Sequence, residues 1–490
     1  MGKLQGIVHR GKFDISNIIK TSEANVLAVL VYLPLQPLNC SASSTYISSQ
    51  SWDWMPYVPG LNMGITDDVY LTLSGNVTIV DPWIRTKVPN TSTADVSVSI
   101  GVRNQSTDSA YTVLEGEINP GNIKFSQYIG VAANELKSIN FDKSIFSQLT
   151  LSNPLLWWPN GYGEPNLYTA TFKLKLANKV SDSVNIKFGI KEYAYDNVGD
   201  VFHLFINGKK IFIKGGNWGM SEYMLRCRGN EYDTKIRFHK EMNFNMIRNW
   251  IGSTTDAEFY EACDKYGIMV WDDFWLITTY TTWPRDKAVF KNNVEEKIRI
   301  NRNHPCIAVW CGMNESTPPA DYNTLYADAI KTYDANDRHY QPNSNSGNLS
   351  GSGPWVNYSP DVYFDNAPGI TPVSWGMRTE IGTAVFTTYE SFKEFMPEAN
   401  MWPRNEMWNK HFFGPLAGNA GPDNYFNSLE NRYGKALGIK DFCSKAQLLN
   451  IETNKAMFEG WMHNMWNDAS GILTWMSQSA YPSLVWQTYD

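Results

Sequence analysis

From the first residues to about position 200, short apolar runs alternate with turn residues: VLAVLVYL, DVYLTL, VTIV, DVSVSIGV and YTATFKLKL. In Val96, Val98, Ile100 and Val102 every second side chain is apolar, the period of a half-buried strand. Repeated at short intervals, the pattern predicts β-sandwich domains, with a seam near Pro82 in VTIVDPW. The opening stretch MGKLQGIVHRGKFDISNIIK reads as a strand, a turn at Gly11 and a return. It lacks the apolar core of a signal peptide. Near position 202, FHLFINGKKIFIKGG sets Asn207-Gly208 between two apolar runs. Both residues tolerate positive φ, which predicts a tight hairpin.

After the hairpin the period changes. FNMIRNW is strand-like, and Thr255 with Glu258 makes a capping-box pattern. Phe259, Cys263 and Tyr266 then repeat at i, i+4 and i+7, and Gly267 ends that helix. IMVWDDFW is the next strand; Phe290, Val294 and Ile298 mark a helix ending before Pro305, and CIAVWCGMNE follows as a strand. This alternation implies a parallel sheet. Eight strands are expected near 211–215, 244–249, 268–273, 306–311, 341–345, 361–365, 373–379 and 471–476, which suits a (β/α)₈ barrel, a TIM barrel. The alternative is a doubly wound open sheet; the missing Gly-rich phosphate loop after the first strand counts against it. The expected division is a partial β-sandwich over 1–80, a second β-sandwich over 81–195 and the barrel over 196–490.

The net charge is only −7 and no long basic patch occurs, so nucleic acid is not expected as a partner. No apolar run reaches transmembrane length, so no membrane partner is expected either. Six cysteines are scattered without a CxxC or a metal-ligand spacing; no metal and no cofactor is expected, and Cys306 and Cys311 read as buried thiols. Compartment and oligomeric state are not legible. Aromatic residues make up 14% of the chain, a load that fits either a Trp-rich core or faces that stack on sugars.

In such a barrel, reactive groups sit at the C-terminal ends of strands. Three expected strands end in acids: Asp272 with Asp273, Glu315, and Glu380. A single strand-end acid is more often a cap or an ion-pair partner. Two on separate strands, following Asn314 and Arg378 among aromatics, suit a division of labour. One carboxyl group in apolar surroundings donates a proton, and the other stays ionised and attacks. A glycosidic bond needs that pair.

At these residues the chain resembles glycoside hydrolase family 2. GMNES is similar to the family's Asn-Glu signature after the fourth strand, and WGMRTEIG to its strand-seven nucleophile segment. INGKKIFIKGGNW resembles the family's lead into the barrel, LLWWPNGYGEPNLY the end of its immunoglobulin-like domain, and WDWMPYVPGLNMGITDDVYL the end of its sugar-binding sandwich. The resemblance implies retention of configuration, with Glu315 as acid/base and Glu380 as nucleophile. It also implies that Asn314 meets the sugar 2-hydroxyl and that Trp475 is a stacking floor, against the plainer reading of a core Trp. Asn217, Trp218 and Arg248 would shape the pocket, with Arg248 orienting Glu380 and keeping it ionised. Asp53 and Trp54 would reach in from the first domain, although Asp53 equally suits a cap in its own loop. Related proteins have a fuller first domain and further sandwiches after the barrel, so a chain short at both ends is expected.

Within the family, DFCSKAQLLNIETNKAMFEGW and GILTWMSQSAYPSLVWQTYD resemble the branch of β-mannosidases, mannosylglycoprotein endo-β-mannosidases and exo-β-D-glucosaminidases. The expected substrate is an oligosaccharide or glycan with a β-mannoside linkage. Glucosaminidases of the branch place Ser-Asp where this chain has Asn314-Glu315. Trp250 in Arg248-Asn249-Trp250-Ile251-Gly252-Ser253 matches the β-mannosidase pattern Arg-x-Trp-Gly-Gly-Gly, although its glycines are broken. Asp272 or Asp273 beside a glucosamine ammonium keeps the glucosaminidase alternative open. A catalytically inactive carbohydrate-binding fragment is the alternative of another class, and the presence of both glutamates counts against it.

Overall fold

The computed structural model of the chain describes residues 2–32, 64–224, 226–277, 283–284, 286–364 and 374–489. Asp53, Trp54 and most of the segment that carries their resemblance lie outside the described residues. Within 2–32 and 64–76 no strand or helix forms, so the strand expected in the first 20 residues is absent, and neither the described part of VLAVLVYL nor DVYLTL is a strand. Among the described residues the opening stretch has no neighbouring strand to pair with. It is held instead by side chains of the barrel, Asn293 accepting from the Ile7 amide and Glu296 pairing with Arg10.

The alternating segment folds as expected into two antiparallel sheets. One contains β1 (Val77–Asn90), β2 (Thr93–Asn104), β5 (Leu136–Phe141) and β6 (Thr150–Ser152). The other runs in the order β4 (Ile123–Val131), β3 (Ala110–Asn119), β7 (Tyr168–Leu176) and β8 (Lys179–Phe188). Val96, Val98, Ile100 and Val102 all turn into the core between them, with Leu114, Phe141 and Phe172. Pro82 lies within β1, at a register shift between Val80 and Trp83.

A small sheet, β9 (Tyr193–Asp196), β10 (His203–Ile206) and β11 (Lys209–Ile211), leads into the barrel. Asn207 and Gly208 join β10 to β11 with φ of 50° and 78°, the hairpin turn expected. The sandwich is tied to the barrel by a fork from Arg85 onto both Asp337 oxygens at 2.6 and 2.8 Å. The Trp157 indole adds a hydrogen bond to the Asp264 carbonyl.

The barrel strands are β12 (Ile213–Trp218), β13 (Met246–Asn249), β14 (Met269–Leu276), β15 (Ile307–Met313), β16 (His339–Asn343), β17 (Gly376–Ile381) and β18 (Ala469–Thr474). They pair in parallel in the order β16-β15-β14-β13-β12-β18-β17. The helices among them are α1 (Asn230–Glu241), α2 (Ala257–Tyr266), α3 (Lys287–Asn301), α4 (Ala320–Tyr333), α5 (Tyr389–Phe395), α6 (Glu406–Lys410), α7 (Pro422–Tyr433) and α8 (Ile439–His463). β13, β14 and β15 are buried along their whole length, as parallel strands covered on both faces are.

Two local expectations are corrected. No strand forms over 361–364, the described part of the stretch expected near 361–365: Pro360–Tyr363 is a 3₁₀ turn, begun by a proline that has no N–H for a ladder. The sixth position is taken by residues 350–354, which pair with β17 through Ser350 N to Met377 O (3.0 Å), Thr379 N to Gly351 O (3.3 Å) and Gly382 N to Pro354 O (2.9 Å). The Thr255–Glu258 capping box is also not made. Asp256 occupies the cap position of α2 and its carboxylate accepts from the Tyr232 hydroxyl, while Glu258 receives Arg228. Gly267 does end α2, left-handed at φ 70°, with its N–H on the Cys263 carbonyl.

Candidate active site

Side chains alternate across a strand, so of two adjacent residues near a strand end one faces the barrel axis and the other the helices. Arg248, second to last in β13, faces inward and is fully buried. Its Nη1 donates to Glu380 Oε1 at 2.7 Å, and its Nη2 donates to Asp273 Oδ2 at 2.7 Å and to Asn314 Oδ1 at 2.6 Å. Its Nε adds bonds to both Asp273 oxygens at 3.1 and 3.2 Å, and Asn217 Oδ1 lies 3.4 Å from Nη1. One guanidinium thereby gathers the ends of β12, β13, β14, β15 and β17. Fork geometry is what arginine supplies and lysine does not.

Asn314 follows β15. Its amide oxygen accepts from Arg248, from Trp250 Nε1 at 3.0 Å and from the Ser344 hydroxyl at 3.4 Å. Glu315 comes next, with φ 54°, a conformation unusual outside glycine. Its amide donates to Ser344 Oγ at 2.9 Å, and its Oε1 receives the Ser352 hydroxyl at 2.7 Å. Ser352 also forms a parallel bridge with Glu380, so the two glutamates share one neighbour.

Asn217 lies on the inner face of β12 and donates to the Thr379 and Thr474 carbonyls at 2.8 and 3.1 Å. Trp475 follows β18 directly, after which comes a cis peptide to Met476. Its ring meets Trp250 edge-on at 5.3 Å and only 4% of the residue is exposed.

Two candidates face the other way. Trp218 is buried against Tyr232 and Phe259 of the outer helices and donates to Thr254 Oγ1 at 3.0 Å, so it is a core residue and not pocket lining. Asp272 lies between the sheet and the helices, taking Lys297 Nζ of α3 at 2.7 Å, the Tyr260 hydroxyl at 3.0 Å and Asn249 Nδ2 at 3.0 Å. Asp273 faces inward, but Arg248 and the Ile251 amide occupy it. Ile251 itself has φ 48°, and Gly252 φ 60°. The branched Ile251 thus takes a backbone conformation glycine adopts freely, at the point where the glycine pattern is broken.

The centre is short of positive charge: Arg248 is shared by Asp273 and Glu380. Burial pushes the Glu380 carboxyl up to about 8; Arg248 opposes this by its charge and its hydrogen bond, while the charges of Glu315 and Asp273 reinforce it. Arg248 therefore orients Glu380 without holding it in the ordinary carboxylate range. Burial alone would lower the Arg248 pKa, but Asp273 and Glu380 together outweigh it and keep the guanidinium protonated. Burial also raises Asp272, against the pull of Lys297. Among the described residues no three His, Cys, Asp or Glu side chains gather as a metal site, and Cys306 and Cys311 are fully buried.

Ser344 and Ser352 both contact Glu315 and were not among the residues expected from the sequence. The only local signal was Gly351-Ser352-Gly353, whose glycines have φ of 87° and 82° and turn the chain so that Ser352 faces Glu315.

Comparison with known proteins gives the same picture. The family model described as Glycosyl hydrolases family 2 matches residues 77–191, and the one described as Glycosyl hydrolases family 2, TIM barrel domain, matches residues 198–350. A mannosylglycoprotein endo-β-mannosidase of Lilium longiflorum is 27% identical over 99% of this chain and 58% of its own length. An exo-β-D-glucosaminidase of Streptomyces avermitilis is also 27% identical, over 99% of this chain and 55% of its own. The crystal structure of a β-D-mannosidase from Dictyoglomus thermophilum superposes with a TM-score of 0.78 at 22% identity, covering 91% of this chain and 57% of that one, which speaks for the fold. The chain spans only 58% and 55% of the length of these two curated relatives. With sandwich, barrel and strand-end glutamates in that order, the chain belongs to glycosyl hydrolase family 2.

Proposed function

We propose that the chain carries the catalytic part of a retaining β-glycosidase, with Glu380 as nucleophile and Glu315 as acid/base. The observation that carries the reading is the junction of the two glutamates at one barrel mouth, bridged by Ser352 and bound to one Arg248-Asn314 lattice. In the first step the Glu380 carboxylate attacks C1 while Glu315 gives its proton to the leaving oxygen, so the glycosidic bond breaks as a glycosyl ester forms. In the second, water attacks C1, Glu315 takes the water proton, and the ester bond to Glu380 breaks. That sequence needs the carboxyl groups roughly 5–5.5 Å apart. Glu380 has to be ionised to attack, so loss of the proton from its burial-raised carboxyl gates the first step.

The sugar is a β-mannoside in this reading, within an oligosaccharide or glycan. Three donors on the Asn314 oxygen fix its amide so that Nδ2 is left for a substrate 2-hydroxyl. Asp272 and Asp273 are each taken up by an internal cation and fully buried, so neither is poised for a substrate ammonium. The likeness to an exo-β-D-glucosaminidase at equal identity favours the second reading, an exo-β-D-glucosaminidase acting on chitosan oligomers. The division into 1–80, 81–195 and 196–490, the pocket roles of Asn217, Arg248, Trp250 and Trp475, and a loop contribution from Asp53 and Trp54 belong to the proposal.

A panel of aryl β-glycosides differing only at C2 tests it. Turnover of the mannoside supports the reading. Turnover of the glucosaminide alone favours the alternative, and turnover of none favours a fragment that only binds. A polar contact at C2 discriminates by up to about 10⁴-fold, so the outcome separates cleanly.

A further inference from the structure

Resting on the role proposed for Glu315, we infer that Ser352 is the positioning residue of the acid/base: its hydroxyl donates to one oxygen of the Glu315 carboxyl and holds the other toward the leaving-group oxygen through its change of protonation state. Ser352 lies on the short segment that fills the sixth place in the barrel. Its backbone is fixed on both sides. The amide donates to Asn345 Oδ1 at 2.9 Å, and the residue bridges Glu380 in β17. Gly351 and Gly353, both left-handed, set this short stretch. A Cβ on Gly351 would come within 2.8 Å of Asn345 Oδ1, so the close approach of Ser352 to Asn345 requires a glycine there.

The hydroxyl has two partners, Glu315 Oε1 at 2.7 Å and Asn345 Oδ1 at 3.3 Å. It has one proton to give. While Glu315 is ionised, the shorter, charge-assisted bond takes it. When Glu315 carries its proton on Oε2, the oxygen left for the leaving group, Oε1 is the carbonyl oxygen of the acid and still accepts from Ser352. The carboxyl group is then held in both halves of a double displacement, in which it must first lose and later regain a proton. Among the described residues no other hydrogen-bond partner holds the Glu315 carboxyl. The Ser344 hydroxyl meets its backbone amide, and Arg248 reaches Asn314 and Glu380 instead. Ser352 touches no reacting atom in this scheme and acts through Glu315.

The test compares Ser352→Ala and Ser352→Thr on two aryl β-glycosides of the accepted sugar, one with an activated and one with a poor leaving group. If Ser352 positions the acid, Ser352→Ala loses about 10-fold or more in kcat/KM on the poor leaving group and little on the activated one. Ser352→Thr restores the hydroxyl and most of that loss. In a Glu315→Gln background, Ser352→Ala has no further effect on the split, because the two changes act on one group. Equal losses on both substrates, no loss on either, or no recovery with threonine overturns the inference. If Glu315→Gln by itself shows no dependence on leaving group, it is the role of Glu315 that has failed. A split for Glu315→Gln without one for Ser352→Ala fails Ser352 alone.

Discussion

Arg248 Nη1 donates to Glu380 Oε1 at 2.7 Å while the same guanidinium grips Asp273 at 2.7 Å. One buried cation thus serves two buried carboxylates, with Glu315 close enough to add a third negative charge. Glu380 loses its proton at about 8 and must be ionised to attack, so kcat/KM should rise as pH rises through that value. Asp273→Asn removes a negative charge and should move this rising limb to lower pH. Arg248→Met removes the positive charge and should move it higher. A pH–rate profile in which Asp273→Asn leaves the limb in place would contradict the electrostatic account.

The same shift has a consequence for stability. The folded Glu380 carboxyl lies above its ordinary value of 4.5, so the native state binds a proton that the unfolded chain releases. Its contribution is full below about 4.5 and is lost as pH rises toward about 8. Glu380→Gln, which stays neutral, should match the parent protein at low pH and exceed it at pH 8 by on the order of a few kcal/mol. Thermal unfolding of both proteins across that range measures it; a constant difference would contradict it.

Glu315→Gln should retain more activity on an activated aryl glycoside than on a poor leaving group, because only the latter needs the proton. External azide should rescue Glu315→Ala on the activated substrate and give the β-glycosyl azide. Product analysis by NMR distinguishes this from an α-azide, which would place the acid and the nucleophile the other way round.

Asp272 and Lys297 are buried together at 2.7 Å on the helix side of β14. Lys297→Met leaves a buried carboxylate without its cation and should cost about 3–5 kcal/mol of stability. Asp272→Asn should lower stability without changing the preference between mannoside and glucosaminide. A selective loss of glucosaminide turnover in that variant would make Asp272 the partner of a substrate ammonium.

Much of this fold was legible because a single physical signal governs it. In β2, alternation alone marked Val96, Val98, Ile100 and Val102 as the inner face. Asn207-Gly208 had few turns open to it other than the one it makes. Glu315 and Glu380 were legible as candidates because each follows an apolar strand run at the end that forms the barrel mouth. Parity was the harder question. β14 is buried on both faces, so no alternation told which of Asp272 and Asp273 turns inward, nor that Trp218 joins the helices while Asn217 joins the site. The sixth position escaped notice because Gly351, Ser352 and Gly353 present no apolar run; backbone bonds to β17 hold the segment there.

The most direct test of the central claim is peptide mapping after incubation with activated 2-deoxy-2-fluoro-β-glycosides of both C2 configurations, which slow the second displacement and trap the ester. The account predicts one sugar attached per chain, on Glu380, in the peptide containing Arg378 and Ile381, with the mannose-configured reagent reacting faster. Stable attachment to Glu315 or Asp273, or turnover that releases the α-anomer first with no ester formed, would contradict it.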